Sequence, residues 1–413
     1  MASRRRGRIE LEPWVGPALR RFGTPGVVVW SLVAVGVALR VIEYAHGRAF
    51  WLDEYSLWTN IEGMGPLDLL RPTKGGQLVP PGFLALERMA AELLGGSVRA
   101  LRLVPMVAGV AALVAFRPLA DRALGGAAAT MAVGAFALSG DLIYFGAELK
   151  PYIVDVAAAV GALWFGVGAV SGRRRAGERA SAAVFGAAVP WLAFASGFVV
   201  PAVALAWVWS AARRKDREDL AWAVGCGALW GVSGLGSLMV ARAMLGGSDH
   251  AMQVFWEFAF LPIPPRSVDD LRELAVHALN LFAGPGRLAF PVGRAASAVV
   301  GLGLAGIGAA RIARNRGGGV LALLLMPGLL HAMASAVRVY PFHGRLALYL
   351  VVPLLLLIGG GLGAIWERWP SRRARAALVV FAFVLPTIEA AEHLTGPHLR
   401  NFDPHGDLRP DPF

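Results

Sequence analysis

Predominantly apolar runs, each about 18 residues or longer and so long enough to cross a bilayer core, recur along the chain with short arginine-bearing turns between them. They fall near 25–42, 99–117, 123–140 and 152–171, then in a tight hairpin over 180–211. Further runs lie near 219–245, 289–310, 318–337, 346–365 and 376–391. The pattern predicts an all-α integral membrane protein with about eleven transmembrane helices in one polytopic domain, 1–413. Two long connecting segments, 43–98 and 246–288, are polar and aromatic instead. Within the first, 80–95 is too short and too charged to cross (Glu87, Arg88, Glu92), but its apolar residues keep helical spacing, which predicts a helix lying on the membrane surface. The second carries Trp256, Phe258 and Phe260, then a Pro-rich turn, then a helix expected from Val268.

Composition agrees with this class: 56% of residues are hydrophobic and only 16% charged, against about a quarter charged in soluble domains. The net charge of +12 would suit a nucleic-acid partner, yet its placement excludes that need. Arginines cluster at Arg4–Arg6, Arg173–Arg175, Arg213–Arg217, Arg311–Arg316 and Arg372–Arg375, all in turns that one threading puts on a single side. Loops retained in the cytoplasm carry such an excess. The expected disposition is a bacterial-type inner membrane, the N-terminus cytoplasmic and both long segments, 43–98 and 246–288, outside. The basic N-terminus before 25–42 has no small-residue cleavage site after it, so an uncleaved first helix is expected. The single cysteine, Cys226, permits neither an internal disulfide nor a thiolate metal cluster.

Three polar constellations fall on the outer side of this threading. In Phe50-Trp-Leu-Asp-Glu-Tyr-Ser-Leu-Trp, Asp53 and Glu54 sit among aromatics near the membrane surface, with Tyr55 beside them. Partial burial would raise such a carboxyl and suit it to act as a general base; an ordinary helix N-terminus also favours acids there. In Arg71-Pro-Thr-Lys-Gly-Gly-Gln, Lys74 offers a point charge for a phosphate oxygen and Gln77 a polar contact, although a plain loop would look the same. The third pairs Glu148-Leu-Lys-Pro-Tyr-Ile-Val-Asp with Arg338-Val-Tyr-Pro-Phe-His-Gly-Arg. Asp155 lies about one turn inside a span, where charge needs a partner or a purpose. Lys150, Arg338 and Arg345 cluster where a lipid phosphate would sit, with His343 between them in sequence and Tyr152 and Tyr340 beside them. For Arg338 and Lys150, reaching toward water from a helix end explains the charge; for Asp155 and Arg345 a functional role is expected. His331 reads as a packed histidine, and His393, His398 and His405 are too loosely spaced for a metal site.

In order and spacing these residues resemble the polytopic GT-C glycosyltransferases, in particular the group of the protein O-mannosyltransferases and the lipid A aminoarabinose transferase (glycosyltransferase family 39-like). The pattern runs through Arg40 at the end of the first span, Asp53-Glu54, Gln77-Leu-Val-Pro80-Pro81, Gly95-Gly-Ser-Val-Arg99-Ala-Leu-Arg102, Lys-Pro-Tyr-Ile-Val-Asp155 and Tyr340-Pro-Phe-His-Gly-Arg345, covering about 30–360. The His often seen before Pro-Pro is missing, with Gln77 nearest, and the Lys before Pro-Pro of the aminoarabinose branch is absent, leaving Lys74 as a substitute. The resemblance implies an inverting transfer from a polyprenyl-phosphate-linked sugar to a lipid, glycan or protein acceptor. Asp53 would activate the acceptor hydroxyl; Arg345, with Lys150 or Lys74, would stabilise the charge growing on the departing phosphate. Asp53, Glu54 and Asp155 could hold a divalent metal, but so few acids favour none.

Two other classes are open to a chain of this composition. A flippase or transporter for a lipid-linked solute would show matching halves and mid-membrane charges; neither is visible. A non-catalytic scaffold would not need acids and cations converging on one face.

Overall fold

The structure, a computed structural model, describes residues 25–68, 71–172, 176–246, 254–284, 288 and 290–396. The Arg4–Arg6 and Arg173–Arg175 clusters, His398 and His405 lie outside them. The described residues form helices α1 (Pro25–His46), α2 (Leu52–Trp58), α3 (Pro81–Leu94), α4 (Val98–Leu101), α5 (Leu103–Ala123), α6 (Gly126–Leu138), α7 (Gly140–Tyr144) and α8 (Tyr152–Val170). They continue with α9 (Ala176–Ala188), α10 (Ser196–Arg214), α11 (Arg217–Leu245), α12 (Val268–Ala283), α13 (Arg294–Arg316), α14 (Gly318–Ala336), α15 (Val351–Arg368) and α16 (Arg372–Glu392). The helices expected at 80–95 and from Val268 are present as α3 and α12.

Among the described residues, 9 helices are long and apolar enough to cross a membrane, against the eleven or so expected. The two shortfalls are α6 and α9, of 13 residues each. Ser139 ends α6 by turning its hydroxyl to Leu142 N–H at the start of α7, and α9 runs into Pro190. A helix as short as α6 ends inside the bundle with carbonyls unsatisfied. Arg40 of α1 supplies the partner. It is fully buried and donates to Phe136 O (3.1 Å), Ala137 O (3.2 Å) and its own-helix Gly36 O (2.9 Å). The arginine that the resemblance marks is therefore a plug for the end of a truncated helix.

The bundle is built around α15, the most enclosed of the spans. Glycines let its neighbours approach at backbone distance, as small residues do where no hydrophobic gain separates helix from lipid. A Cβ placed on Gly308 of α13 would lie 1.8 Å from Leu357 O of α15, and one on Gly361 of α15 would lie 2.1 Å from Leu304 O. Across the other face, Gly363 and Gly359 meet Ala128 and Ala132 of α6.

The spans share a common polarity. A single large cavity is lined by the first residues of α10 and the last residues of α11, by residues just after α14 and by those just before α15. The arginines of the same helices, Arg213 and Arg214 of α10, Arg217 of α11 and Arg368 of α15, are at their opposite termini, and Arg316 lies just before the start of α14. Cavity and arginine turns thus occupy opposite ends of the bundle.

The α13–α15 crossing yields a prediction. Gly308→Ala should lower stability by about 1–3 kcal/mol, because the contacted atoms are main chain and cannot repack. Thermal unfolding in detergent measures it; an unchanged Tm would contradict the close crossing.

Candidate active site

The site begins with a carboxylate that never reaches the cavity. Glu54, at the third position of α2, accepts Trp51 N–H (3.4 Å) and so caps its own helix. The same carboxylate is fully buried and receives Arg102 Nε (2.8 Å), Arg102 Nη2 (2.7 Å) and Leu149 N–H (2.7 Å). Arg102 breaks the helix between α4 and α5 and also donates to Arg48 O (2.5 Å) and Ala49 O (3.2 Å). One fork therefore ties 48–54 to α5, and one amide ties both to 145–151. The residues next to Glu54 and Leu149 are Asp53 and Lys150, and they meet: Lys150 Nζ lies 2.7 Å from Asp53 Oδ1. The other Asp53 oxygen faces Arg345 Nη2 at 3.2 Å.

The Arg345 guanidinium lies over Trp51 (5.2 Å), Tyr152 (5.5 Å) and Trp256 (5.9 Å), an arrangement that holds a planar cation in place. Lys150 Nζ also donates to Gln77 Oε1 (3.0 Å). The loop carrying Gln77 is anchored by Thr73, whose amide and hydroxyl both reach Met244 O near the end of α11 (2.6 and 3.1 Å). Burial pushes the Asp53 carboxyl up, but the adjacent Lys150 and Arg345 charges together outweigh it and hold the group below its ordinary range. This corrects the expectation that burial would raise it: two cations sharing one carboxylate dominate.

Asp53, Lys150, Arg345, Gln77, Tyr152 and Tyr340 all line the cavity, as do His343 and Asp155. Asp155 is buried and accepts Ala195 N–H at 3.0 Å, fixing the entry to α10. Three expected site residues do not reach it. Glu54 is spent on Arg102. Tyr55 is 53% exposed and rests on Trp58. Lys74 is exposed, its backbone held by the Asn60 side chain (2.6 and 3.2 Å), and only its neighbours Thr73 and Gly75 touch the cavity. Nor do Asp53, Glu54 and Asp155 converge: among the described residues no group of three His, Cys, Asp or Glu could hold a metal ion. His331 is packed, with Nε2 2.9 Å from Pro341 O and its ring stacked on Phe198.

The cavity measures about 2110 Å³, beyond the roughly 300–1,000 Å³ of a drug-sized site. From its polar end an apolar groove runs between α10 and α11, past Phe198, Pro201 and Leu205 on one side. On the other, Gly227, Gly231, Gly234 and Leu238 share one face of α11 over about 16 Å, at 1.5 Å per residue. A Cβ on Gly231 would meet nothing within 4 Å, while one on Gly227 would touch Ala204 (3.6 Å) and one on Gly234 Pro190 (3.9 Å), so the face is open at Gly231. One turn further out on that face stands Arg242, exposed and lining the cavity, with no ion pair among the described residues. Sequence reasoning missed Arg242, Trp51 and Trp256 as site residues; the 3–4 residue spacing of Gly227, Gly231, Gly234, Leu238 and Arg242 was the available signal for the first.

Residues 79–236 match the family described as dolichyl-phosphate-mannose-protein mannosyltransferase. Among solved structures, the oligosaccharyltransferase of Archaeoglobus fulgidus in complex with Zn and sulfate superposes with a TM-score of 0.55 at 16% identity, over 91% of this chain and 54% of that one. ArnT from Cupriavidus metallidurans bound to undecaprenyl phosphate does so with a TM-score of 0.54 at 14% identity, over 86% and 63%. The fold is that of the GT-C glycosyltransferases. The chain spans little more than half the length of the oligosaccharyltransferase. No curated protein sequence matches it. The GT-C resemblance carried by Asp53-Glu54, Pro80-Pro81 and Tyr340 to Arg345 thus agrees with both kinds of likeness.

Glu54 is therefore a scaffold residue rather than a cavity residue. Glu54→Gln should cost about 3–5 kcal/mol, the usual penalty for leaving a buried guanidinium without its carboxylate. Thermal unfolding of purified protein checks it, and a Tm equal to wild type would return Glu54 to the list of candidate bases.

Proposed function

We propose that the chain is a membrane glycosyltransferase that moves a sugar from a polyprenyl-phosphate carrier to an acceptor hydroxyl at the outer face of the inner membrane. The observation that carries this reading is Asp53 held between Lys150 and Arg345 at the polar head of a cavity whose tail is an apolar groove. A hydrophobic chain ending in a phosphate has the same order of parts. Support also comes from the relatives: an archaeal homologous fold was solved with a dolichol-phosphate and ArnT with undecaprenyl phosphate. The outer location rests on the arginine-rich turns at the opposite end of the bundle.

The chemistry follows from the shared cations. The acceptor oxygen attacks the anomeric carbon from the face opposite the phosphate, its bond to that carbon forms, and the carbon–oxygen bond to the lipid phosphate breaks. The hydroxyl proton passes to the Asp53 carboxylate. In the ground state Lys150 and Arg345 are engaged by Asp53. As the phosphodiester becomes a monoester it gains a negative charge, and the two cations turn toward it. Asp53 then loses the partners that keep it acidic and becomes a better base as the proton arrives. Stabilisation is greatest where charge develops, which is what lowers a barrier. Arg242, at the head of the groove, meets the phosphate on the lipid side, and the Trp51 and Trp256 faces accept the sugar ring. Lipid, glycan and protein hydroxyls all fit this scheme as acceptors, and no nucleic acid is called for.

Asp53→Asn should reduce transfer by about a thousandfold or more, while binding of undecaprenyl phosphate stays equal or tightens because two cations are released; transfer assays on purified protein with a lipid-linked sugar pool, beside lipid-phosphate titration, measure both. Full turnover in that variant would remove Asp53 from the mechanism. Arg345→Ala should weaken undecaprenyl-phosphate binding by roughly tenfold or more, the loss of a close cation–phosphate contact. Unaltered affinity would refute the assignment of Arg345.

A further inference from the structure

Behind the cavity, and not lining it, Glu148 is completely buried between α7 and α8, and neither of its carboxylate oxygens has a hydrogen-bond partner. The charged and titratable groups facing it are Asp53 and Glu54 of α2, Arg48 from the segment after α1, Arg345 from the turn before α15, Tyr144 of α7 and Tyr152 of α8; the elements packed on 145–147 also bring Arg40 and Glu43 of α1, Asp141 of α7 and Arg102 at the start of α5. Lys150 is two residues on, and its amide donates to Glu148 O (2.7 Å).

The surrounding charges do not cancel. Arg48 pairs with Glu43 (3.0 Å) and Arg102 with Glu54 (2.7 Å), while Lys150 and Arg345 share Asp53. His393 takes the second oxygen of Glu43 (2.8 Å), away from Glu148. Within these pairs four Lys or Arg cations stand against three carboxylates, and an ionised Glu148 would be the fourth. Neutral, it leaves one positive charge uncompensated; ionised, it cancels that charge at the point where a phosphate would use it.

Resting on the reading of this cavity as a lipid-phosphate site, we infer that Glu148 is a positioning residue that must carry a proton for the donor phosphate to bind, so that anion binding and Glu148 protonation are coupled. Its partnerless, fully enclosed oxygens suit a neutral carboxyl, since a buried carboxylate needs donors. In the free protein burial, then the Glu54 charge, push it up to about 8. A bound anion pushes it further. The sign follows: above about pH 8 the free protein has lost the proton that the complex retains, so binding takes up a proton and weakens as pH rises. Below that range the carboxyl is neutral in both states and affinity is flat.

The test is binding of farnesyl methyl phosphodiester, which keeps one negative charge throughout, to the full chain in detergent, with farnesyl methyl ether as the uncharged control. For wild type, Kd for the diester should stay level from roughly pH 6 to 7.5 and rise about tenfold by roughly pH 9.5, while Glu148→Gln stays level throughout. An alkaline rise equally large in Glu148→Gln, or no rise in wild type, overturns the coupling. Should Glu148→Gln fail to fold, calorimetry of wild type near pH 8.5 in two buffers of different ionisation enthalpy reads the proton directly, and zero uptake overturns the inference. Failure of the underlying reading looks different: wild type at pH 7 would bind diester and ether equally.

Discussion

The contact on which the site depends is the buried fork between Arg102 and Glu54. It joins three stretches that are distant in the chain: the segment after the first span, the break between α4 and α5, and the segment before α8. A buried charge pair is a poor source of net stability, because desolvation offsets attraction, but it is costly to break and exacting in geometry. Here the geometry is what matters. With Leu149 N–H on Glu54, the adjacent Lys150 and Asp53 have no freedom to be anywhere but together.

A second constraint is the imbalance of charge in that layer. Arg48 pairs with Glu43 and Arg102 with Glu54, while Lys150 and Arg345 share the one Asp53, at one end of a bundle whose other end carries the arginine turns. Cations that are already paired do not bind a ligand tightly unless the ligand offers more charge than the partner they leave. In the transfer proposed above, a phosphodiester becoming a monoester would offer that, and only as reaction proceeds. The pairing of Asp53 with both Lys150 and Arg345 is therefore compatible with weak ground-state binding and strong transition-state binding, the combination that favours turnover.

Around this layer the membrane imposes its own accounting of backbone groups. A spanning helix satisfies itself, but a short one does not. Arg40 answers for the end of α6, Ser139 starts α7, and Asp155 receives the amide that opens α10. Each of these polar groups would look anomalous in an apolar stretch, and each meets a main-chain group exposed by a break in a helix. Of these breaks, the one before α10 borders the cavity, through Asp155, Ala193, Phe194 and Ser196.

How much of this is legible without coordinates differs by residue. Helix positions follow from apolar length, and the cation-and-acid character of the site from Asp53, Lys150 and Arg345, because a charge in an apolar chain is conspicuous and needs a reason. The short helices α6 and α9 were counted as crossings because length read from composition does not reveal where Ser139 or Pro190 stops a helix. Glu54 and Lys74 looked equal to Asp53 and Lys150, since adjacent residues on a helix or loop differ only in the direction they point. As a charge near a helix end, Arg242 is not set apart from the others in the sequence; the glycine-lined face that α11 turns toward α10 is what marks it. By itself the sequence determined that this is a many-helix membrane protein with its arginine turns on one side of the threading, since hydrophobic burial and the positive-inside bias are one-dimensional signals. Only the tertiary structure decided which carboxylate serves as scaffold and which faces the cavity, because that choice is made by contacts between segments some fifty to three hundred residues apart.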